Sequence, residues 1–249
     1  MTADSLLIPG LRCLWQQAFG DPEETLDAFF ATGFSWDRCN LLCQDGIPVS
    51  ALYWFDCTLN GQKLAYIYAV ATEKAHRGKG LAHRLMADTH AILQERGYAG
   101  AVLVPGNEKL FAFYRELGYR TVSTVAEFTA HRSDTPVFIK EIDTTQYARL
   151  RRAYLPENSV IQEGDALKFL HTQVRFYAGD DFLLAAAKAD GTLIVQELLG
   201  NVRTAPGILR ALDVPLGHFR TPGNDRDFAM LLSFHQSCPN LAYFGLALD

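Results

Sequence analysis

No stretch of this chain approaches the roughly 18 consecutive apolar residues that a membrane span requires, although 49% of its residues are hydrophobic. The apolar residues are spread among polar ones instead, as packed cores demand, and 249 residues suffice for one large domain or two small ones. Positive charge is not in excess either. Residues 1–130 carry 11 Lys+Arg against 14 Asp+Glu, a balance of −3, and residues 131–249 carry 12 against 14, a balance of −2. Neither half offers a nucleic acid an electrostatic footprint. The start, Met1-Thr2-Ala3-Asp4, lacks the cations of a secretion signal. Cysteine is sparse: Cys13, Cys39, Cys43, Cys57 and Cys238 are odd in number and scattered, and Cys39-x-x-x-Cys43 has no second pair to complete a zinc site. These absences lead us to expect a cytoplasmic protein with free thiols and no metal, bound to neither membrane nor nucleic acid.

What is present centres on Leu64 to Ala82, LAYIYAVATEKAHRGKGLA. The apolar, aromatic and β-branched run from Leu64 to Thr72 predicts a buried strand. A polar loop leads into Arg77-Gly78-Lys79-Gly80-Leu81-Ala82, where the spacing turns helical: Leu81, Leu85 and Ile92 share one stripe, with Arg84, Asp88 and Glu95 on the other side. Strand, glycine loop and helix start together make an anion-binding device. The first helical turn leaves backbone N–H groups unpaired, and the macrodipole adds about half a positive charge. Gly78 and Gly80 let a phosphate approach the backbone, and Arg77 and Lys79 add two cations. As solvated charges at a turn, those two cations also have a plainer reading. The phosphate motifs G-x-x-x-x-G-K-[ST] and G-x-G-x-x-G are both missing, which argues against a nucleoside triphosphatase and a dinucleotide fold.

Arg77-x-x-Gly80-x-Ala82 is similar instead to the [Q/R]-x-x-G-x-[G/A] signature of the GNAT superfamily, the acetyl-CoA-dependent N-acetyltransferases. Tyr68-Ala69-Val70-Ala71-Thr72 resembles that family's fourth strand. Ala101 to Arg120, AVLVPGNEKLFAFYRELGYR, resembles its fifth strand, Asn-led helix and terminal Y-x-x-x-G-[FY] pattern. The resemblance implies acetyl-CoA as cosubstrate. The strand end Val70, Ala71 and Thr72 would hold the pantetheine arm and polarise the acyl carbonyl, and Arg77, Gly78, Lys79, Gly80, Leu81 and Ala82 the pyrophosphate. Asn107 would contact the pantetheine, although it also suits a helix N-cap. Tyr114 would donate a proton to the departing thiolate. It also lies on the stripe of Leu110, Phe113 and Leu117, which suits a core aromatic. The Glu base that some family members carry early in that strand has no match, since Leu64 stands there. Tyr66 and Tyr68 share a strand face that would line the acceptor cleft, and Glu73 would accept a proton through water, although a solvated loop carboxylate is its plainer reading.

The rest of the chain follows in order. Leu11, Leu14, Trp15 and Phe19 predict a helix over Gly10 to Phe19. Asp21-Pro22-Glu23-Glu24 predicts a second, with Asp21 at the N-cap of a capping box. Strands Asn40 to Gln44, Val49 to Leu59 and Leu64 to Thr72 form a meander through turns at Asp45-Gly46 and Asn60-Gly61. After the long helix come strand Ala101 to Val104, a helix opened by Asn107, and strand Tyr119 to Thr129.

HRSDTP, residues 131–136, reads as a boundary. Beyond it the plan repeats: strand Val137 to Ile142, helices Thr145 to Tyr154 and Gly164 to Tyr177, and a hairpin of Phe182 to Ala189 with Thr192 to Leu199. A short helix, Ala205 to Leu212, and strands at Gly217 to Thr221, Asp227 to Ser233 and Leu241 to Leu248 complete it. Residues 200–207 lack the R-x-x-G-x-[G/A] pattern. The sequence thus reads as an α/β (α+β) protein of two tandem GNAT-like domains, each a mixed, mostly antiparallel sheet flanked by helices. Residues 1–130 would bind acetyl-CoA, and 137–249 would be a degenerate domain that walls the acceptor cleft. The expected activity is transfer of acetyl to a primary amine of a small molecule, with a homodimer compatible. A CoA-binding module without catalysis, or use of a different acyl-CoA, is the alternative.

Overall fold

The computed structural model describes residues 3–235 and 241–248. Helix α1 (Ala3–Phe19) lays Leu11, Leu14 and Trp15 into the core, and α2 (Glu23–Thr32) adds Leu26 and Phe29. The second start differs from expectation. Pro22 is the N-cap and no side chain caps the helix, because Asp21 is drawn away to accept the Trp15 indole N–H at 2.7 Å. Strands β1 (Cys39–Gln44), β2 (Ile47–Leu59) and β3 (Gln62–Thr72) form the expected meander. Asp45 with Gly46 and Asn60 with Gly61 take positive φ, as tight two-residue hairpin turns require.

Helix α3 (Leu81–Glu95) buries Leu85, Met86, Thr89 and Leu93 and returns the chain to β4 (Gly100–Leu103), parallel to β3. Helix α4 (Glu108–Glu116) and β5 (Arg120–His131) follow. Beyond residue 136 come β6 (Lys140–Ile142), α5 (Thr144–Tyr154), β7 (Ile161–Gln162), α6 (Asp165–Gln173) and β8 (Arg175–Ala178). The long helix expected over Gly164 to Tyr177 therefore ends at Gln173. The β-forming Phe176 and Tyr177 pair instead with Leu184 and Ala185. Strand β9 (Phe182–Ala189) and β10 (Thr192–Gly200) make the predicted hairpin, and α7 (Ala205–Ala211), β11 (Leu216–Pro222) and β12 (Arg226–Ser233) complete the elements. Leu241 to Leu248 is extended but forms no strand. Its one bridge joins Tyr243 to Ser159, and Gln162 Nε2 holds the Leu246 carbonyl at 2.7 Å.

The strands join in one twelve-stranded sheet, in order β1-β2-β3-β4-β12-β5-β11-β10-β9-β8-β6, with β7 beside β2. Two features of this order organise the molecule. Strands β10 and β11 are parallel across α7, as β3 and β4 are across α3. At the centre the last strands are exchanged: β12 pairs with β4 of the first half, and β5 pairs with β11 of the second. The open edge of β4 is thereby covered by a strand from the far end of the chain. On one face, α1, α2, α5, α6 and the Leu241–Leu248 segment share a core. On the other, α3 and α4 cover the first half and α7 the second.

A buried network fixes the extended segment. Arg151 meets Glu197 through two hydrogen bonds at 2.7 and 2.9 Å, while the hydroxyls of Tyr147 and Tyr243 donate to the same carboxylate at 2.9 and 3.2 Å. Burial of an ion pair is tolerated only with such full satisfaction.

Candidate active site

Strands β3 and β4 pair only from Leu64↔Gly100 to Tyr66↔Val102, and beyond that they part. On the other edge of β3 the register with β2 jumps between Ala51↔Ala71 and Tyr53↔Tyr68, leaving Leu52 opposite both Ala69 and Val70. Ala69 has φ +49°, a left-handed conformation unusual for a side-chain-bearing residue. This is a β-bulge, which interrupts the ladder at Ala69–Val70 and re-aims the backbone. Strained backbone of this kind is concentrated at functional sites.

Two cavities flank the bulge. The first, of 520 Å³, is lined by Val70, Thr72, His76, Arg77, Gly78, Gly80, Leu81, Ala82 and His83, with Leu110, Phe113 and Tyr114 of α4 opposite. Gly78 and Gly80 have φ of +74° and +76°, and a Cβ at either would meet nothing within 4 Å, so the loop presents open backbone. Gly80 is the N-cap of α3 and no side chain occupies the first-turn amides. Arg77 Nε donates to the Thr72 carbonyl at 2.9 Å, which ties the side chain along the strand end. Its two terminal nitrogens have no partner among the described residues. Open amides, a helix N-terminus and a guanidinium make a fitting seat for a pyrophosphate.

The second cavity, of 410 Å³, opens where β3 and β4 part. Tyr66, Tyr68 and Val70 line one side, Leu103, Val104 and Gly106 the other, with Trp15 and Phe19 of α1, Asp21 and Thr25 also in the lining. Gln173 of α6 and Ala247 and Leu248 close it. Tyr66 is 3% exposed, and its hydroxyl accepts from the Leu248 N–H at 3.0 Å. The Trp15 ring lies edge-on to Tyr68, with centroids 5.4 Å apart.

Val70, Leu110 and Tyr114 line both cavities. Tyr114 is 6% exposed, and burial pushes its phenol up to about 12. Of the other residues singled out in the sequence, Ala71 is buried in the sheet and Lys79 is exposed, and neither lines a cavity. Asn107 caps α4, its Oδ1 accepting from the Leu110 N–H at 3.2 Å, and also lies outside both linings. Glu73 lies outside them too, bonded to His76 Nδ1 at 2.6 Å while His76 Nε2 meets Gln44 at 2.7 Å.

Sequence reading missed Asp21 as a cavity residue, because the capping pattern claimed it. It missed Gln173, Ala247 and Leu248 because no local signal marks a wall supplied from the other half of the chain. Trp15 and Phe19 were visible only as a helix stripe.

In the second half, the loop after β10 is occupied by its own side chains. Asn201 Oδ1 accepts from the Arg203 N–H at 3.1 Å, and its Nδ2 donates to Asp181 at 2.7 Å. Thr221 Oγ1 donates to the Leu198 carbonyl at 2.8 Å, bridging β11 to β10 where β4 and β3 part.

Comparison with known proteins places this geometry. No curated protein matches the chain in sequence. Solved structures share its fold at low identity. A GCN5-related N-acetyltransferase from Kribbella flavida is 17% identical with a TM-score of 0.70, over 93% of this chain and 69% of that one. One from Anabaena variabilis is 14% identical at 0.65, over 88% and 68%. A tandem GNAT protein from the clavulanic acid biosynthesis pathway is 11% identical at 0.56, over 96% and 98%. Residues 7–122 match the family model described as an acetyltransferase (GNAT) domain. That span, just under half of the chain, contains the Arg77 loop and Tyr114 and is similar to the GNAT acetyltransferase domain.

Proposed function

We propose that the protein moves an acetyl group from acetyl-CoA to a primary amine of a small molecule, by direct attack of the amine on the thioester. The observation that carries this reading is the meeting of a phosphate-ready groove with an aromatic cavity at Val70, Leu110 and Tyr114. Bound acetyl-CoA supplies an activated thioester. Everything else is asked of this chain. The amides of Gly78 to Ala82 and the Arg77 guanidinium hold the pyrophosphate. The Val70 backbone, released from the ladder by the bulge, polarises the carbonyl, a contribution of ~3 kcal/mol per well-aimed donor. Tyr114, kept protonated by burial, holds a proton for the leaving thiolate, worth of order 10²–10⁴ in rate at best.

Walls from α1, α6 and the Leu241–Leu248 segment leave a cavity of small-molecule size, which favours a small amine over a protein chain. In this reading residues 1–130 form the cofactor-binding unit and 137–249 a degenerate partner that walls the cleft. Glu73, engaged by His76, is a poor candidate for the general base, so the amine attacks in its neutral form and the proton its nitrogen sheds on forming the amide passes to water.

The test is thermal unfolding with and without acetyl-CoA, run beside thiol release against an amine panel. A ligand at ~100 times its dissociation constant adds about 2.7 kcal/mol of stability. Stabilisation lost in Arg77→Glu, together with amine-dependent thiol release, is the expected result. Stabilisation without thiol release would make the protein a CoA-binding module. An Arg77→Glu variant with full affinity would overturn the pyrophosphate assignment.

A further inference from the structure

The phosphate-ready groove holds an ion pair that the glycine loop does not require. No residue lining the groove is acidic, and Arg77, His76 and His83 are basic. His76 ends a single 3-10 turn, Lys74–His76, directly before Arg77. Its ring spans two elements. Nδ1 lies 2.6 Å from Glu73 Oε2 on its own loop, and Nε2 lies 2.7 Å from Gln44 Oε1 at the end of β1. The Glu73 N–H donates to the Val49 carbonyl of β2 at 2.9 Å, which anchors the pair to the sheet. A carboxylate oxygen and an amide oxygen both accept, so both ring nitrogens must donate. Only the imidazolium can do that.

The second ring proton has an electrostatic consequence. Glu73 does not line the groove, yet its carboxylate touches a side chain that does. Uncompensated, that charge would oppose a pyrophosphate seated beside Arg77. The imidazolium cancels it. The other titratable groups at the groove do not match this placement. The second carboxylate paired with a lining residue, Glu116 of α4, lies 3.8 Å from His83 Nε2, and the His83 side chain is 48% exposed against 18% for His76. Solvent screens that looser pair. Lys74 and Lys79 are exposed and lie outside the lining. Tyr114 of α4, raised to about 12, is uncharged at neutral pH.

We propose, building on the acetyl-CoA reading, that His76 sets cofactor affinity by its charge: the imidazolium neutralises Glu73, and once its proton leaves, the Glu73 carboxylate opposes the pyrophosphate. Gln44 serves both states, because its amide can turn over and donate to a neutral Nε2. Histidine is the side chain whose charge changes between about pH 5 and 8, so acetyl-CoA binds more tightly toward acid and less tightly toward base. His76 is assigned no chemical step.

Calorimetric titration with acetyl-CoA, with no acceptor present, tests this. A phosphomonoester on the ligand itself titrates near about pH 6, so each variant is compared with the unaltered protein at the same pH. His76→Gln keeps hydrogen-bonding groups but cannot take the charge. It should weaken binding about fivefold or more at about pH 6, and by less than about twofold at about pH 8.5. Adding Glu73→Gln removes the uncovered carboxylate and should restore affinity at the lower pH to within about twofold of the unaltered protein. A bridge that merely held the loop in place would not be mended by losing its second half. His83→Asn should leave the pH dependence in place. Cooperative thermal unfolding of each variant shows that it is folded. A double variant as weak as the single one, a His76→Gln defect of equal size at both pH values, or a pH dependence that disappears with His83 would each overturn the proposal and leave the cofactor assignment standing. Failure of the unaltered protein to bind acetyl-CoA would overturn both.

Discussion

The hydroxyl of Tyr66 accepts a hydrogen bond from the backbone N–H of Leu248 across 3.0 Å, joining β3 to a segment 182 residues further along the chain. Through it, and through Gln162 to Leu246, the segment from Leu241 to Leu248 becomes a wall of the aromatic cavity. The two halves therefore line one cavity.

Tyr66→Phe should test that joint. The substitution leaves the buried Leu248 N–H without an acceptor, a cost of about 1–3 kcal/mol. Urea unfolding should show the loss, and hydrogen exchange should show the Leu248 amide opening well before global unfolding. An amide that stays protected would mean the segment is held by its other bonds, among them Gln162 to the Leu246 carbonyl and the Phe244 N–H to Ser123 Oγ.

Arg151 and Glu197 should behave as a unit. Arg151→Met leaves a buried carboxylate facing Tyr147 and Tyr243, and removing one partner of such a pair typically costs 3–5 kcal/mol. The double variant Arg151→Met, Glu197→Leu should recover part of that loss in the same unfolding measurement. A double variant less stable than the single one would show that the tyrosine hydroxyls, not the ion pair, dominate.

Tyr114→Phe should lower kcat by up to ~10²–10⁴ with little change in acetyl-CoA affinity. Burial raises the Tyr114 phenol to about 12, so it stays protonated below that value. No falling limb attributable to Tyr114 should therefore appear in the pH–rate profile up to about pH 11. A basic limb that vanishes in the Phe variant would contradict this environment.

His90 should make stability acid-sensitive. Burial lowers it from 6.5 to about 4, and its Nε2 lies 2.9 Å from the Tyr119 hydroxyl. Between those values the unfolded chain binds a proton that the folded chain does not, so stability rises with pH across this window and is lost on acidification. Urea midpoints at pH 4.5 and 6.5 should differ less in His90→Asn than in the unaltered protein. Equal differences would place the acid sensitivity elsewhere.

Local chemistry was legible in the sequence wherever it was strong. Asp45-Gly46, Asn60-Gly61 and Asp190-Gly191 all take the positive φ that tight turns need, because those residue types tolerate it. Strand β3, the Arg77 loop and α3 follow directly from a change of period from two to 3.6. Where a nearby side chain competed, local rules failed: the Trp15 indole took Asp21 from its cap. Where two elements contended for the same residues, sheet pairing won, turning Arg175–Ala178 into β8 at the end of α6.

By itself, the sequence determined most of the elements, their order and the glycine loop after β3, since each depends on neighbours within a few residues. Strands β7 and β8 were not legible in it, and Leu241–Leu248 forms no strand. Only the tertiary structure decided that β12 inserts between β4 and β5, because strand pairing is sealed by backbone groups that look alike in every sequence. That exchange draws the second half against the first. With it come Gln173, Ala247 and Leu248, which close a cavity of which the sequence had marked only Tyr66, Tyr68, Val70 and Tyr114.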